Sequence, residues 1–310
     1  MRRRHRFSIV FPATMLLLAA SVVGGLAHPR AQKEGKQNTV IFAVSREVSR
    51  SEPGVGIITP IVLIAGGHYI SPPKDDQFVD NYYRSGQKYR LLFGGAAAGS
   101  VTIKQAVTLD PSDVGAREAE GMSAFVEVNS PVYLGGNFMA LATNARVLGR
   151  KQSSRRAPTV RERTALLDLA RKAYQQRHLP NAQLNNAMSV PAIDLIDPIS
   201  LTATDLNRDG KAELIGSFEI TIPTLYGRHT LFLVAEHHSN RYRARVTWYH
   251  RCIADDDCVE RLLVDHLDLN GDGIDEVIVR AEYFEAWDYI IYKKQRGYWR
   301  SIYKGGGGSH

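Results

Sequence analysis

Two nine-residue stretches constrain this chain more than anything else in it: DLNRDGKAE over Asp205–Glu213 and DLNGDGIDE over Asp268–Glu276. Each places side-chain oxygens at relative positions 1, 3, 5 and 9 and a glycine at position 6. That layout suits a hard cation such as Ca²⁺, which takes several oxygen ligands in a flexible shell. In the first copy the ligands would be the side chains of Asp205, Asn207, Asp209 and Glu213 and the carbonyl of Lys211. In the second they would be Asp268, Asn270, Asp272 and Glu276, with the carbonyl of Ile274. Gly210 and Gly273 fall where the backbone must turn sharply, which glycine does at little cost.

The flanks repeat as well. ISLTATDLNRDGKAELIGSFEI aligns with RLLVDHLDLNGDGIDEVIVRAEY, and HTLFLVAEHHSNRYRARVTWY with WDYIIYKKQRGYWRSIY. Each unit reads strand, acidic loop, strand, strand, turn, strand. A period of this size marks a repeated β unit. An ion-free Asp/Asn/Gly turn is the simpler reading of one such loop, and its recurrence with matching flanks weighs against chance.

With their flanking strands these loops resemble the FG-GAP/VCBS class of calcium-binding β repeats, over about Ala192–Lys304. The resemblance implies a propeller-blade-like, four-stranded unit per repeat, with Ca²⁺ held between its first two strands. It further implies adhesion, recognition or scaffolding in exported bacterial proteins, some of them joined to enzymes. An EF-hand would need a bidentate Glu at position 12, where this chain has Gly216 and Val279. Loop two carries Asp268, Asp272, Asp275 and Glu276, with Asp265 just upstream. Loop one carries three acids, with Arg208 and Lys211 inside it. Charge count tunes affinity, so loop two is expected to bind more tightly.

Upstream, a 310-residue chain accommodates one large or two ordinary domains. Of its formal charge of +7, four charges come from Arg2, Arg3, Arg4 and Arg6, which leaves little basic excess for nucleic acid. Those arginines head an apolar run from Phe7 to Ala27, which reads as an export signal over 1–27 cleaved after Ala27, or as an uncleaved anchor. Either places the rest outside the cytoplasm: periplasm, cell surface or extracellular space. Membrane contact is expected only through this segment if it stays. The two cysteines, Cys252 and Cys258, suit a disulfide in an oxidising compartment.

Residues 28–38 read as a flexible leader. Runs such as TVIFAV, GIITPIVLIAGGHYI, KYRLLFGG, SVTIKQAVTL, SAFVEV and FMALATNARVL make 39–150 an all-β domain. PPKDD (Pro72–Asp76) and LDPSD (Leu109–Asp113) read as loops, GGAAAGS (Gly94–Ser100) as a tight turn, and GRKQSSRR (Gly149–Arg156) as a solvated basic linker. One amphipathic helix follows within 151–190, opened by a Thr159/Glu162 capping box and ended by Pro180. The repeats occupy 191–304 and a disordered Gly-rich tail 305–310. The fold class is therefore mainly β: a β domain, one helix and two repeats with acidic loops.

No H-E-x-x-H or G-x-S-x-G occurs, so neither a zincin site nor a nucleophile elbow is signalled. The aromatic C-terminal strands (Tyr283, Phe284, Trp287, Tyr289, Tyr292, Tyr298, Trp299, Tyr303) suit a β core, or stacking on sugar or peptide. The expectation is an exported, calcium-stabilised, non-enzymatic protein that binds or scaffolds a protein or carbohydrate ligand. The alternative is a secreted hydrolase of polysaccharide or peptidoglycan, with the repeats as an accessory module.

Overall fold

A computed structural model describes residues 38–46, 55–107, 123–130, 138–145, 148–179, 184, 201–221 and 227–309. The export segment, the leader up to residue 37, Leu109–Asp113, Pro180 and, Leu184 apart, the crossing Asn181–Pro198 lie outside the described residues. Among the described residues no helix is long and apolar enough to cross a membrane.

The first half comprises β1 (Thr39–Arg46), β2 (Val55–Ala65), β3 (His68–Ile70), α1 (Asp76–Tyr82), β4 (Lys88–Phe93), β5 (Ala96–Ala106), β6 (Ala124–Asn129) and β7 (Phe138–Thr143). The strand order β1-β7-β4-β5-β6-β2 closes through a β1–β2 pairing into a six-stranded barrel, and β3 extends β2. Unbroken apolar runs such as VIFAV follow from burial on both faces. Val40, Phe42 and Val44 point into the barrel, while Ile41 and Ala43 point outward into a second core, as the two-residue period of a strand requires.

Helix α1 is a feature that PPKDD concealed. Its loop reading ended at Asp76, but Asp75 caps a helix by accepting from the Phe78 amide at 2.8 Å. Phe78, Tyr82 and Tyr83 then join Phe42 and Tyr89 in an aromatic cluster in the barrel core.

The second half begins with α2 (Val160–Gln175), whose Thr159/Glu162 capping box is present. Then come β8 (Leu201–Thr204), β9 (Glu213–Thr221), β10 (Arg228–His238) and β11 (Arg241–Cys252). These are followed by β12 (Glu260–Leu267), β13 (Glu276–Glu282), β14 (Ala286–Gln295) and β15 (Tyr298–Ser309). Each repeat is a four-stranded antiparallel meander in chain order. The layers stack α2, first meander, second meander, barrel. Leu166, Ala170 and Tyr174 of α2 cover Leu231 and Leu233 on one face of the first meander. Its other face, through Ile215, Phe232 and Val234, meets Val277, Val279 and Ile290 of the second. The far side of the second, through Val264, Ile278 and Ile291, packs on Ile41, Ile61 and Leu141 of the barrel. Each fully buried Val, Leu or Ile contributes about 1.5–3 kcal/mol, so both meanders are held from both faces.

Three expectations are corrected. Gly305–Ser309 is no disordered tail: it belongs to β15 and pairs with β14, Trp287 opposite Gly308 and Ala286 opposite Ser309. It also touches the barrel where β2 bulges at Pro60–Ile61: a side chain at Gly306 would strike the carbonyls of both residues, and the Ile61 carbonyl accepts from the Tyr303 hydroxyl at 2.7 Å. GGAAAGS turns only at Gly94–Gly95; Ala96 onward is strand. The stretch 149–156 is not a solvated linker, because Arg150 and Arg155 insert between the layers. The aromatic residues are chiefly core: Tyr289, Tyr292 and Tyr303 are buried, while Phe284 and Tyr298 stand exposed at two separate turns.

Candidate metal centre

The two acidic loops join the first two strands of each meander and fold alike, because the same positions make the same bonds. In loop one Asp205 accepts from the Asp209 and Gly210 amides (3.2 and 3.0 Å), and Asn207 Oδ1 from the Asp209 amide (3.0 Å). Asp209 accepts from the Lys211 amide (2.8 Å), and Glu213 Oε2 from the Leu206 amide (2.7 Å). In loop two Asp268 accepts from the Asp272 and Gly273 amides (3.1 and 2.9 Å), and Asn270 from the Asp272 amide (2.8 Å). Asp272 accepts from the Ile274 amide (3.0 Å), and Glu276 Oε2 from the Leu269 amide (2.8 Å). Position 6 has positive φ in both, Gly210 at 79° and Gly273 at 88°. Position 4 does too, as Gly271 in one and Arg208, at 62°, in the other.

Backbone amides thus take both oxygens of the first Asp, the Asn oxygen and one oxygen each of the second Asp and the Glu, which leaves Asp209 Oδ2 with Glu213 Oε1 in loop one and Asp272 Oδ2 with Glu276 Oε1 in loop two. The Asn207 amide group reaches Glu213 Oε1 at 3.2 Å and Asp209 Oδ2 at 3.4 Å. In loop two the Asn270 amide reaches Glu276 Oε1 at 2.5 Å. The Lys293 ammonium from β14 lies 3.5 Å from both Glu276 Oε1 and Asp272 Oδ2. Burial pushes the carboxyls of Glu213 and Glu276 up to about 7, each opposed by the amide it accepts from. The expected ligand atoms are all oxygen, and in loop two a lysine is drawn between two of the carboxylates. These residues fit a hard cation.

The expected charge advantage of loop two is absent. Asp265 and Asp275 turn away from it into the buried interface with the barrel. Asp265 accepts from the Gly94 amide with both oxygens (3.1 and 2.8 Å) and from the Arg155 guanidinium at 3.3 Å. Burial raises the Asp265 carboxyl, and Arg155, His266 and the Gly94 amide pull it back. Asp275 pairs with Arg150 at 3.0 Å and with His266 Nδ1 at 2.6 Å. Arg150 also donates to the Asp205 and Leu206 carbonyls, and Leu206 accepts from the Asp275 amide at 2.8 Å. One arginine therefore ties the barrel side to both loops. Arg208 of loop one completes the link, 3.1 Å from Asp268.

Within this cluster His266 Nε2 lies 2.7 Å from the Thr204 hydroxyl, itself 2.7 Å from Ser154 Oγ. The order acid, imidazole, hydroxyl is that of a nucleophilic triad. Yet His266 and Thr204 are 0% exposed, so no substrate carbonyl reaches the hydroxyl and the relay works as a structural lock. Nothing in the acidic motif announced these residues. Their signal is broken symmetry: Asp265, His266 and Asp275 of the second repeat stand where the first has Thr202, Ala203 and Ala212.

Cys252 and Cys258 are at disulfide distance, their Cα atoms 4.7 Å apart, around a single 3-10 turn, Asp255–Asp257. His250 and Asp257 lie beside Cys252, but a sulfur bonded to Cys258 is no thiolate donor. His237 and His238 end β10, and the turn that follows is Ser239–Asn240. Compared with family models, curated proteins and solved structures, the chain finds no match in any of the three.

Proposed function

We propose that this chain is an exported binding or scaffolding protein of the cell envelope or extracellular space, whose two repeats are stabilised by Ca²⁺. The observation that carries the reading is the recurrence, in both repeats, of Asp, Asn, Asp and Glu side chains ordered by one shared set of loop amides, which leaves one Asp and one Glu oxygen over in each loop. Asp205, Asn207, Asp209, Glu213 and the Lys211 carbonyl would hold one ion, and Asp268, Asn270, Asp272, Glu276 and the Ile274 carbonyl the other. Bound there, Ca²⁺ supplies the positive charge that keeps Glu213 and Glu276 ionised despite burial. The chain's own residues do the rest: Arg150 and Arg208 bridge the two loops, so their shapes are fixed together. The disulfide at Cys252–Cys258 suits an oxidising compartment.

With Asp265 and Asp275 spent elsewhere, each loop keeps three carboxylates, and those of loop two are already countered by Lys293 and Arg208. Loop one is therefore the tighter site. Calorimetric titration of the full chain with Ca²⁺ should show two sites with dissociation constants of about 10⁻⁴–10⁻³ M. Asp205→Ala and Asp268→Ala should each remove one. An absence of calcium-dependent heat ends the reading.

A further inference from the structure

A cleft lies where α2 covers the first meander. One stripe of α2, Arg161, Ala165, Asp168 and Lys172, recurs at helical spacing and faces the β10–β11 hairpin across a cleft of about 470 Å³. Such a volume falls within the range of small-ligand sites, about 300–1,000 Å³. The hairpin side is rigid. Its two-residue turn has positive φ at both Ser239 (45°) and Asn240 (63°), the geometry that matches strand twist. This holds Arg241 and Tyr242 opposite the helix.

The charges around the cleft do not cancel locally. Its two acids are already used: Glu162 is bidentate to Arg156 (2.7 Å for both bonds) and closes the capping box, and Asp168 pairs with Arg171. Among the described residues Arg161, Lys172 and Arg241 have no carboxylate within ion-pair distance, and all three are exposed. Between them lies an apolar floor of Ala165, Leu169 and the Tyr242 ring. His237, whose ring sits edge-on to Tyr242, has an enclosed Nδ1 with no hydrogen-bond partner. Guanidinium forks match carboxylate and phosphate, and a tyrosine face with aliphatic neighbours suits the flat side of a ring.

We propose that this cleft binds a small anionic ring compound, an acidic sugar or a sugar phosphate. The proposal gives a ligand class to the binding role above and rests on that role. No residue lining the cleft belongs to the acidic loops, so calcium binding and anion binding are tested by separate substitutions.

The test is calorimetric titration of the full-length chain with digalacturonate, glucose 6-phosphate and neutral maltose, at about 50 mM and about 500 mM salt. At least one anion should bind more tightly than maltose and weaken at high salt, and the arm that binds identifies the source of the charge. Arg161→Gln/Arg241→Gln should weaken that binding roughly tenfold or more. Lys172→Gln should weaken it less, and Arg243→Gln, outside the cleft, should leave it unchanged. All four positions are exposed, so these variants keep the fold, which circular dichroism verifies. Neither anion exceeding maltose, or anion binding that survives the double substitution, overturns the proposal.

Discussion

Arg155 and Asp265, 110 positions apart along the chain, meet with 3.3 Å between guanidinium nitrogen and carboxylate oxygen, and both side chains are all but sealed from solvent. The guanidinium also lies 4.8 Å from the centre of the Phe93 ring and donates to the Val264 carbonyl at 2.9 Å. This pair, with the Gly94 amide behind it, fastens the barrel to the second meander. Removing one partner of a buried pair strands the other charge. Arg155→Met should therefore destabilise the chain by about 3–5 kcal/mol. Arg155→Met combined with Asp265→Leu should recover much of that loss. Urea unfolding of both variants measures it; a single variant as stable as the parent would show that the pair carries no weight.

The glycine run at the C-terminus makes a second test. Gly307 has φ of 80°, and a side chain there would lie 2.0 Å from the Trp287 carbonyl. Gly307→Ala must move backbone against backbone, at a cost of roughly 1–3 kcal/mol. A disordered tail would tolerate the change without effect, and thermal unfolding separates the two.

The mainly β class was legible in the sequence, and the reasons are specific. VIFAV and LFLVA are apolar at every position because β1 and β10 are covered on both faces, and the repeated acidic loops marked the first turn of each meander. The joints were not legible. Arg150 and Arg155 sit in a run whose composition is that of a surface linker, and only their partners 55 and 110 positions away reveal the burial. Asp265 and Asp275 looked like extra loop charge because sequence spacing gives no side-chain direction. The glycines of β15 looked disordered because a strand that lies under Trp287 and against β2 needs their missing side chains, and composition alone reads the same run as a linker.

Acidity provides a third test. Glu260 sits at the seam of the two meanders. Burial, then a hydrogen bond with Glu219, pushes its carboxyl up to about 7 from an ordinary 4.5. The folded state therefore binds this proton more tightly than the unfolded chain does. The resulting stabilisation is complete below about pH 4.5 and is lost as pH rises through about 7. Glu213 and Glu276 act in the same direction without calcium. Glu260→Gln should flatten that fall by on the order of 2 kcal/mol across the interval, read from unfolding at pH 5 and pH 8 in chelator. An unchanged slope would contradict it.

Lys293 provides a fourth. Its ammonium lies between Asp272 and Glu276 and competes for the carboxylates of loop two. Lys293→Gln should raise the calcium affinity of that loop by roughly two- to fivefold and leave loop one alone. Weaker binding would mean that the lysine helps to build the site.

The measurement to make first is thermal unfolding of the full chain in excess Ca²⁺ and in chelator, repeated for Asp205→Ala and Asp268→Ala. An ion bound only by the folded state must raise the midpoint. The expected result is a calcium-dependent rise that both substitutions reduce, Asp205→Ala more than Asp268→Ala. A midpoint that is the same in calcium and in chelator would make the two loops plain turns and remove calcium from the function of this protein.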